Sequence, residues 1–149
     1  IFGYMNFIDV SCRGIGRPGA DNFFIGKSWH TFGPMGPFLL TSDEISDPQA
    51  LSIKLSVQGD LRQDYNTVDM DHKIPEVIEW ITSITTLEAG DVIACGTNHR
   101  GLGPLQDQDV IEMEISDFGK LTVNVTDELK RSWVRETHAQ KEARESSVG

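Results

Sequence analysis

Leu51-Ser52-Ile53-Lys54-Leu55-Ser56-Val57-Gln58-Gly59-Asp60-Leu61-Arg62-Gln63-Asp64-Tyr65 settles the fold class. Leu51, Ile53, Leu55 and Val57 alternate with Ser52, Lys54 and Ser56, the period of a half-buried strand. Gln58-Gly59-Asp60 turns that strand into a second, Leu61 to Tyr65, and predicts a hairpin. Val110 to Ile115 and Leu121 to Val125 alternate in the same way around Ser116-Asp117-Phe118-Gly119, a second hairpin. Short apolar runs bounded by Gly and Pro predict further strands at about 2–10, 23–25, 37–41 and Val92 to Cys95. Pro75 suits a first helical turn, and Ile74, Val77, Ile78, Ile81 and Ile84 keep helical spacing, so a helix is expected over 75–85. Many strands around one internal helix define an α+β, β-rich domain, not an alternating βα sheet.

Past Asp127 the chain is charged, with sparse apolar residues (Leu129, Trp133, Val134). The reading is a domain over 1–126, then an exposed helix fraying into a flexible Ser-Ser-Val-Gly end over 127–149. Residue 1 is Ile and the first strand is already in progress there, so a piece of a longer polypeptide is expected.

The chain of 149 residues has a net charge of −10 and a pI near 4.7. An acidic surface repels nucleic acid and anionic membrane, which argues against either as a partner. No apolar run approaches the ~20 residues of a membrane span. A local cationic pocket from Arg13, Arg17 and Lys27 remains compatible with an anionic small molecule. Cys12 and Cys95 each lie in an apolar stretch and read as buried, reduced thiols of a cytoplasmic protein.

Asp9 and Lys27 carry the chemical signal. Asp9 is the only charge between Ile1 and Val10 and reads as a carboxylate inside an apolar strand, on the face of Phe7 and Ser11. Lys27 reads as an ammonium on a glycine turn that leads into the stiff Gly33-Pro34-Met35-Gly36-Pro37 segment. Buried charge is costly unless compensated. An ionic site follows, completed economically by a divalent metal; backbone N–H groups or Arg13 satisfying Asp9, and a surface position for Lys27, are the alternatives.

Other motifs dissolve on inspection. Gly14-Ile15-Gly16-Arg17-Pro18-Gly19 matches G-x-G-x-x-G, but Pro18 stands where a helix should be under way. Gly26-Lys27-Ser28 ends like a phosphate loop, but Asp21 occupies the first glycine position. Glu112-x-Glu114 opposes Ile111, Met113 and Ile115 and reads as a solvent-facing acidic edge. His30, His72, His99 and His138 suit no zinc spacing; His30 and His99 fall in loops, where exposed histidines are the commoner case and lining a pocket is the alternative. Thr97, between Gly96 and Asn98, reads on its own as a loop cap.

Five phrases occur together and in order: Phe7-Ile8-Asp9-Val10-Ser11-Cys12-Arg13; Phe24 to Pro37; Asp47-Pro48-Gln49-Ala50-Leu51; Arg62-Gln63-Asp64-Tyr65-Asn66-Thr67 with Met70; and Leu87 to Thr97. Over roughly residues 1–125 the chain resembles the fumarylacetoacetate hydrolase family. The resemblance implies a mixed β-sandwich or β-roll with few helices, and commonly a homodimer. It implies a Mg²⁺ ion, or Mn²⁺ or Ca²⁺, held by a Glu-x-Glu pair and a later Asp, which Asp9 matches. It makes Lys27 the catalytic and substrate-binding lysine, and Arg13 and Thr97 substrate-binding. The family's Glu-x-Glu and its lid His/Glu precede the point where this chain begins. Gly14 and Gly16 replace the family's Asp and Gln, and Asn98-His99-Arg100-Gly101-Leu102-Gly103 replaces Pro-x-Gly-Val-Gly.

The implied activity is a metal-dependent C–C hydrolase on 2-oxo or 1,3-dioxo acids, of acylpyruvase or fumarylacetoacetase type, acting through a metal-bound enolate. An isomerase, tautomerase or oxaloacetate decarboxylase on the same scaffold is the second reading. A non-catalytic binding relative is the third.

Overall fold

The structure is a computed structural model, and it describes residues 1–15 and 22–147. Its centre is an antiparallel four-stranded sheet of β3 (Ser52–Val57), β4 (Asp60–Asn66), β5 (Val110–Ile115) and β6 (Lys120–Asn124) in the order β4-β3-β5-β6. A second sheet pairs β1 (Gly3–Phe7) with β2 (Met35–Thr41). Helices α1 (Phe23–Lys27), α2 (Ile74–Thr82) and α3 (His138–Ser146) lie outside the sheets. This is the α+β, β-rich architecture that the alternation predicts. Among the described residues no helix is long and apolar enough to cross a membrane.

Register explains the core. Ile53 stands opposite Ile115, Val57 opposite Ile111, and Met113 opposite both Leu55 and Leu121. One face of the sheet is therefore a continuous apolar layer, closed by Phe118, which is 2% exposed. Tyr4, Ile8 and Leu40 from the β1–β2 side pack onto it. Each fully buried side chain of the layer, such as Ile111 or Phe118, contributes about 1.5–3 kcal/mol. The opposite face is a charge lattice in which Lys54 faces Glu114 and Glu114 faces Lys120. Glu112 and Glu114 thus face solvent as expected, but from an interior strand rather than an edge.

Asn6 joins the two sheets. Its Nδ2 donates to the Gly119 carbonyl at 3.0 Å and to the Phe118 carbonyl at 3.5 Å, while its Oδ1 is buried without a partner. The register slips by one residue between Leu55 and Ser56, leaving Arg62 as an extra residue on β4. Gln63 and Tyr65 then sit opposite Leu55 and Ile53, respectively.

Four expectations need correction. The first strand stops at Phe7, so Asp9 lies beyond it and is not buried in a strand. Residues 23–25 open α1 rather than a strand, because Asn22 caps it by accepting from the Ile25 N–H at 3.1 Å. Phe24 is 79% exposed, so that apolar run never reported burial. Val92 to Cys95 forms no strand, since no neighbouring strand pairs with it among the described residues; Cys95 is exposed, not buried. Helix α3 begins only at His138; the chain turns at Glu128 and Leu129, and 130–137 have no regular secondary structure. The helix predicted over 75–85 is α2, which begins one residue earlier and ends three residues sooner, with Ile74 buried and Trp80 exposed. Gly16, Arg17, Val148 and Gly149 lie outside the described residues.

Candidate active site

After β1 the chain turns out of the sheet, tied by the Ile8 N–H to the Pro34 carbonyl at 3.0 Å. It then runs beside α1, with the Cys12 N–H donating to the Gly26 carbonyl at 2.8 Å. The approach is close: a Cβ on Gly26 would stand 2.9 Å from the Cys12 carbonyl oxygen. A glycine before Lys27 is therefore what allows the lysine to reach across. Lys27 Nζ forms an ion pair with Asp9 Oδ2 and donates to Ser11 Oγ at 3.0 Å. The acid and base singled out in the sequence are brought into contact. Lys27 is the last residue of α1, not a residue on a turn.

Exposure distinguishes this pair from a structural one. The side chains are 35% exposed for Lys27 and 43% for Asp9. Exposed pairs contribute between zero and about 1 kcal/mol, so the fold does not depend on it. Arg13 lies over the Phe23 ring at 5.9 Å from its centroid, within cation–π range. Ser11, Cys12, Arg13, Phe23, Gly26 and Lys27 line a cleft with an enclosed volume of about 10 Å³, room for about one water.

Thr97 belongs to a second polar cluster. Its Oγ1 donates to Gln63 Oε1 at 3.1 Å and shares a 3.1 Å hydrogen bond with the Tyr65 hydroxyl. Gln63 Nε2 in turn donates to the Asn98 carbonyl at 3.0 Å. Burial pushes the Tyr65 phenol up, and the Thr97 hydrogen bond only partly offsets it. Ser11, Gln63 and Tyr65 are the residues that the sequence reading left without a role. Their signal was present: Ser11 is two residues from Asp9, and Gln63 and Tyr65 alternate onto the core side of a strand. Asn98, His99 and Arg100 enter a 3₁₀ turn (His99–Gly101) capped by Asn98 Oδ1, which accepts from the Arg100 N–H at 3.0 Å. His30 and His99 are exposed, and Glu112 and Glu114 belong to the outer sheet face, away from these clusters. Gly14 is exposed with a left-handed φ of 73°, a conformation that suits glycine.

A divalent ion wants about six oxygen ligands. Among the described residues no three His, Cys, Asp or Glu side chains converge to hold one. Asp9 offers a single hard, solvent-facing carboxylate. The donor set thus fits a divalent ion as one contributing ligand, not as a complete cage.

A family model described as "Fumarylacetoacetate (FAA) hydrolase C-terminal" matches residues 1–126. Oxaloacetate tautomerase YisK of Bacillus subtilis is 39% identical over 128 residues, which is 82% of this chain and 42% of the relative. The crystal structure of maleylpyruvate hydrolase from Sphingobium sp. SYK-6, in complex with manganese(II) and pyruvate, has a TM-score of 0.75 and 39% identity. That match covers 84% of this chain and 44% of the other. The 2-hydroxyhepta-2,4-diene-1,7-dioate isomerase of Mycobacterium marinum has a TM-score of 0.75 and 33% identity, covering 86% of this chain and 49% of the other. The chain spans about half the length of the curated relatives it matches.

Proposed function

This chain belongs to the fumarylacetoacetate hydrolase family, and on that premise we propose that it carries part of the active site of a divalent-metal-dependent enzyme hydrolysing a C–C bond in a 2-oxo or 1,3-dioxo acid. The observation that carries this reading is the exposed contact of Lys27 with both Asp9 and Ser11 at the mouth of a cleft. An ion pair that contributes little to stability and opens to solvent is available for chemistry. The manganese and pyruvate of the Sphingobium relative supply the ligand class, a 2-oxo acid with a divalent ion.

The residues divide the work by charge. Asp9 is one hard oxygen ligand, with the remaining ligands from water and from protein beyond this chain. When bound, the ion supplies Lewis-acid stabilisation of negative charge. Magnesium is the ion we expect, with manganese able to replace it. Lys27 places a fixed positive charge where an oxyanion develops. Arg13 binds the substrate carboxylate through its planar guanidinium. Thr97, held by Gln63 and Tyr65, orients a substrate oxygen. The cleft has room for only about one water, so the substrate's remaining walls come from elsewhere. We expect a homodimer; exposed Phe2, Phe24 and Trp29 support one by leaving apolar surface to cover.

The second reading is tautomerisation or isomerisation at the same residues, favoured by the tautomerase and isomerase relatives. It needs the same charge stabilisation without attack by water. The full-length protein, given Mg²⁺ or Mn²⁺ and acylpyruvates or oxaloacetate, separates these readings. Pyruvate release from an acylpyruvate establishes hydrolysis. Loss of enol absorbance from oxaloacetate without pyruvate release establishes the tautomerase. Binding of metal and 2-oxo acid with neither reaction would leave a non-catalytic relative.

A further inference from the structure

We propose that residues 127–147, which lie past the end of the family match, form a clamp on the loop that carries Thr97, with Arg135 as its positioning residue. The inference rests on the reading of Thr97 as a substrate-facing group, and its central measurement does not.

The loop from Thr97 to Asp109 is held on two flanks. On the first, β4 grips it through Gln63 and Tyr65 at Thr97 and through Gln63 at the Asn98 carbonyl. The backbone of the loop touches the extra residue of β4, since any side chain at Gly101 would run into the Arg62 carbonyl. On the second flank stands the C-terminal segment. The His138 N–H donates to the Leu102 carbonyl at 2.9 Å. The Glu136 carbonyl packs on Gly103, where a Cβ would lie 3.3 Å from it. Gln106 exchanges two hydrogen bonds with the Trp133 backbone, at 3.2 and 3.3 Å. Arg135 grips Asp109 with both terminal guanidinium nitrogens, at 3.1 and 2.5 Å, and Asp109 also accepts from the Gln106 N–H at 2.8 Å.

These contacts are not those of an adhering tail. Leu129, Trp133 and Val134 stay exposed, so apolar burial does not hold the segment in place. Directional polar contacts do, and they fall on the loop. Asp109 is fully buried, and a buried carboxylate needs a fixed partner. Without Arg135 the carboxylate keeps only the Gln106 N–H and the charge of Arg62, and any shift toward water carries Gln106 with it. The hydroxyl of Thr97 is held by Gln63 and Tyr65, while the loop that carries its backbone is held at Leu102 to Asp109 by the C-terminal segment.

Hydrogen exchange on the full-length protein tests the clamp. In Arg135→Ala, amide exchange across residues 98–103 is expected to rise about tenfold, with β3 and β5 unchanged. Arg135→Lys, which keeps the charge without the two-pronged geometry, should recover part of the protection. His138→Pro is the cleaner variant. His138 is the first residue of α3, where proline is well tolerated, and the change removes the N–H that reaches Leu102 together with an exposed imidazole. It should loosen 99–103 while α3 stays protected, and it decides the matter if Arg135→Ala fails to fold. With a substrate in hand, both variants should raise KM severalfold and leave kcat within about twofold, a split that general destabilisation would not produce. Unchanged exchange in 98–103 despite a released C-terminal segment would overturn the proposal. If Thr97→Val leaves KM unaltered while the exchange results hold, the substrate role of Thr97 fails and the clamp stands.

Discussion

Two acid–base pairs in this molecule look alike on paper and behave as opposites. Asp9–Lys27 is exposed on both sides, with one carboxylate oxygen engaged and Ser11 alongside. Asp109–Arg135 buries its carboxylate completely and engages both oxygens. Burial raises the Asp109 carboxyl, yet the hydrogen bonds from Arg135 and the Gln106 N–H, with the charges of Arg135 and Arg62, outweigh it and hold it below the usual carboxylate range. The difference teaches where to look for chemistry. A charge locked in place by several partners is committed to the fold, and a charge held by one replaceable partner is available to a ligand.

The largest effect on activity should therefore come from the one of these two pairs that matters less to stability. Asp9→Ala is expected to lower metal-dependent turnover at least a thousandfold, about 4 kcal/mol of barrier, while changing unfolding stability by less than about 1 kcal/mol. Full turnover in saturating Mg²⁺ would remove Asp9 from the site. Lys27→Ala should lower kcat about a hundredfold, the scale of losing one preorganised charge at an oxyanion, with metal affinity largely kept. Wild-type kcat would deny the lysine a part in the chemistry.

Asp109→Ala reverses the pattern. It removes a buried carboxylate with three hydrogen bonds, and about 3 kcal/mol of stability should go with it. Chemical denaturation at neutral pH measures this, and a loss below about 1 kcal/mol would show the pair to be dispensable. Its pH dependence has a definite sign. The folded carboxyl titrates below the unfolded one, so its stabilising contribution is fully present above about pH 4 and is lost as pH falls through the lower folded value. The gap between wild type and Asp109→Asn should hold steady from neutral pH to about 5 and narrow only in stronger acid. A gap that widens in acid would contradict the lowered pKa.

The sequence pointed to one pair and missed the other, for a physical reason. Asp9 and Lys27 sit in phrases with few other charges, so each stands out from its neighbours. Asp109 and Arg135 sit in Gln106-Asp107-Gln108-Asp109 and Lys130-Arg131-Ser132-Trp133-Val134-Arg135, where charge is the background. Nothing local tells which aspartate will be enclosed. The same logic separates the strands. In β3, β5 and β6, alternation reports burial against partners within this chain, so faces and hairpins were legible. Around α1 and Val92 to Cys95 the apolar residues do not pack that way, and the pattern lost its meaning. An asparagine cap decided the first segment, and the lack of a neighbouring strand among the described residues decided the second.

The smallest predicted effect isolates what exposure alone accounts for. Glu112 and Lys120 pair at 3.3 Å with side-chain exposures of 38% and 50%, close to those of Asp9 and Lys27. They differ in setting. Glu112 and Lys120 lie on the outer sheet face among charges of alternating sign, over an open hollow of about 170 Å³ shared with Lys54, Ser56 and Leu61. Lys120 pairs with Glu112 on a strand, whereas Lys27 ends a helix and also donates to Ser11. Glu112→Gln should shift stability by less than about 0.5 kcal/mol and leave kcat and KM as they were. If it lowered turnover as Lys27→Ala does, the two exposed pairs would be functionally equivalent, and the argument from solvent access to chemistry would lose its force. If only the Asp9–Lys27 pair responds, exposure is the permissive condition, and the close approach of Gly26 to Cys12, which sets Lys27 beside Ser11, is what makes one exposed pair a site.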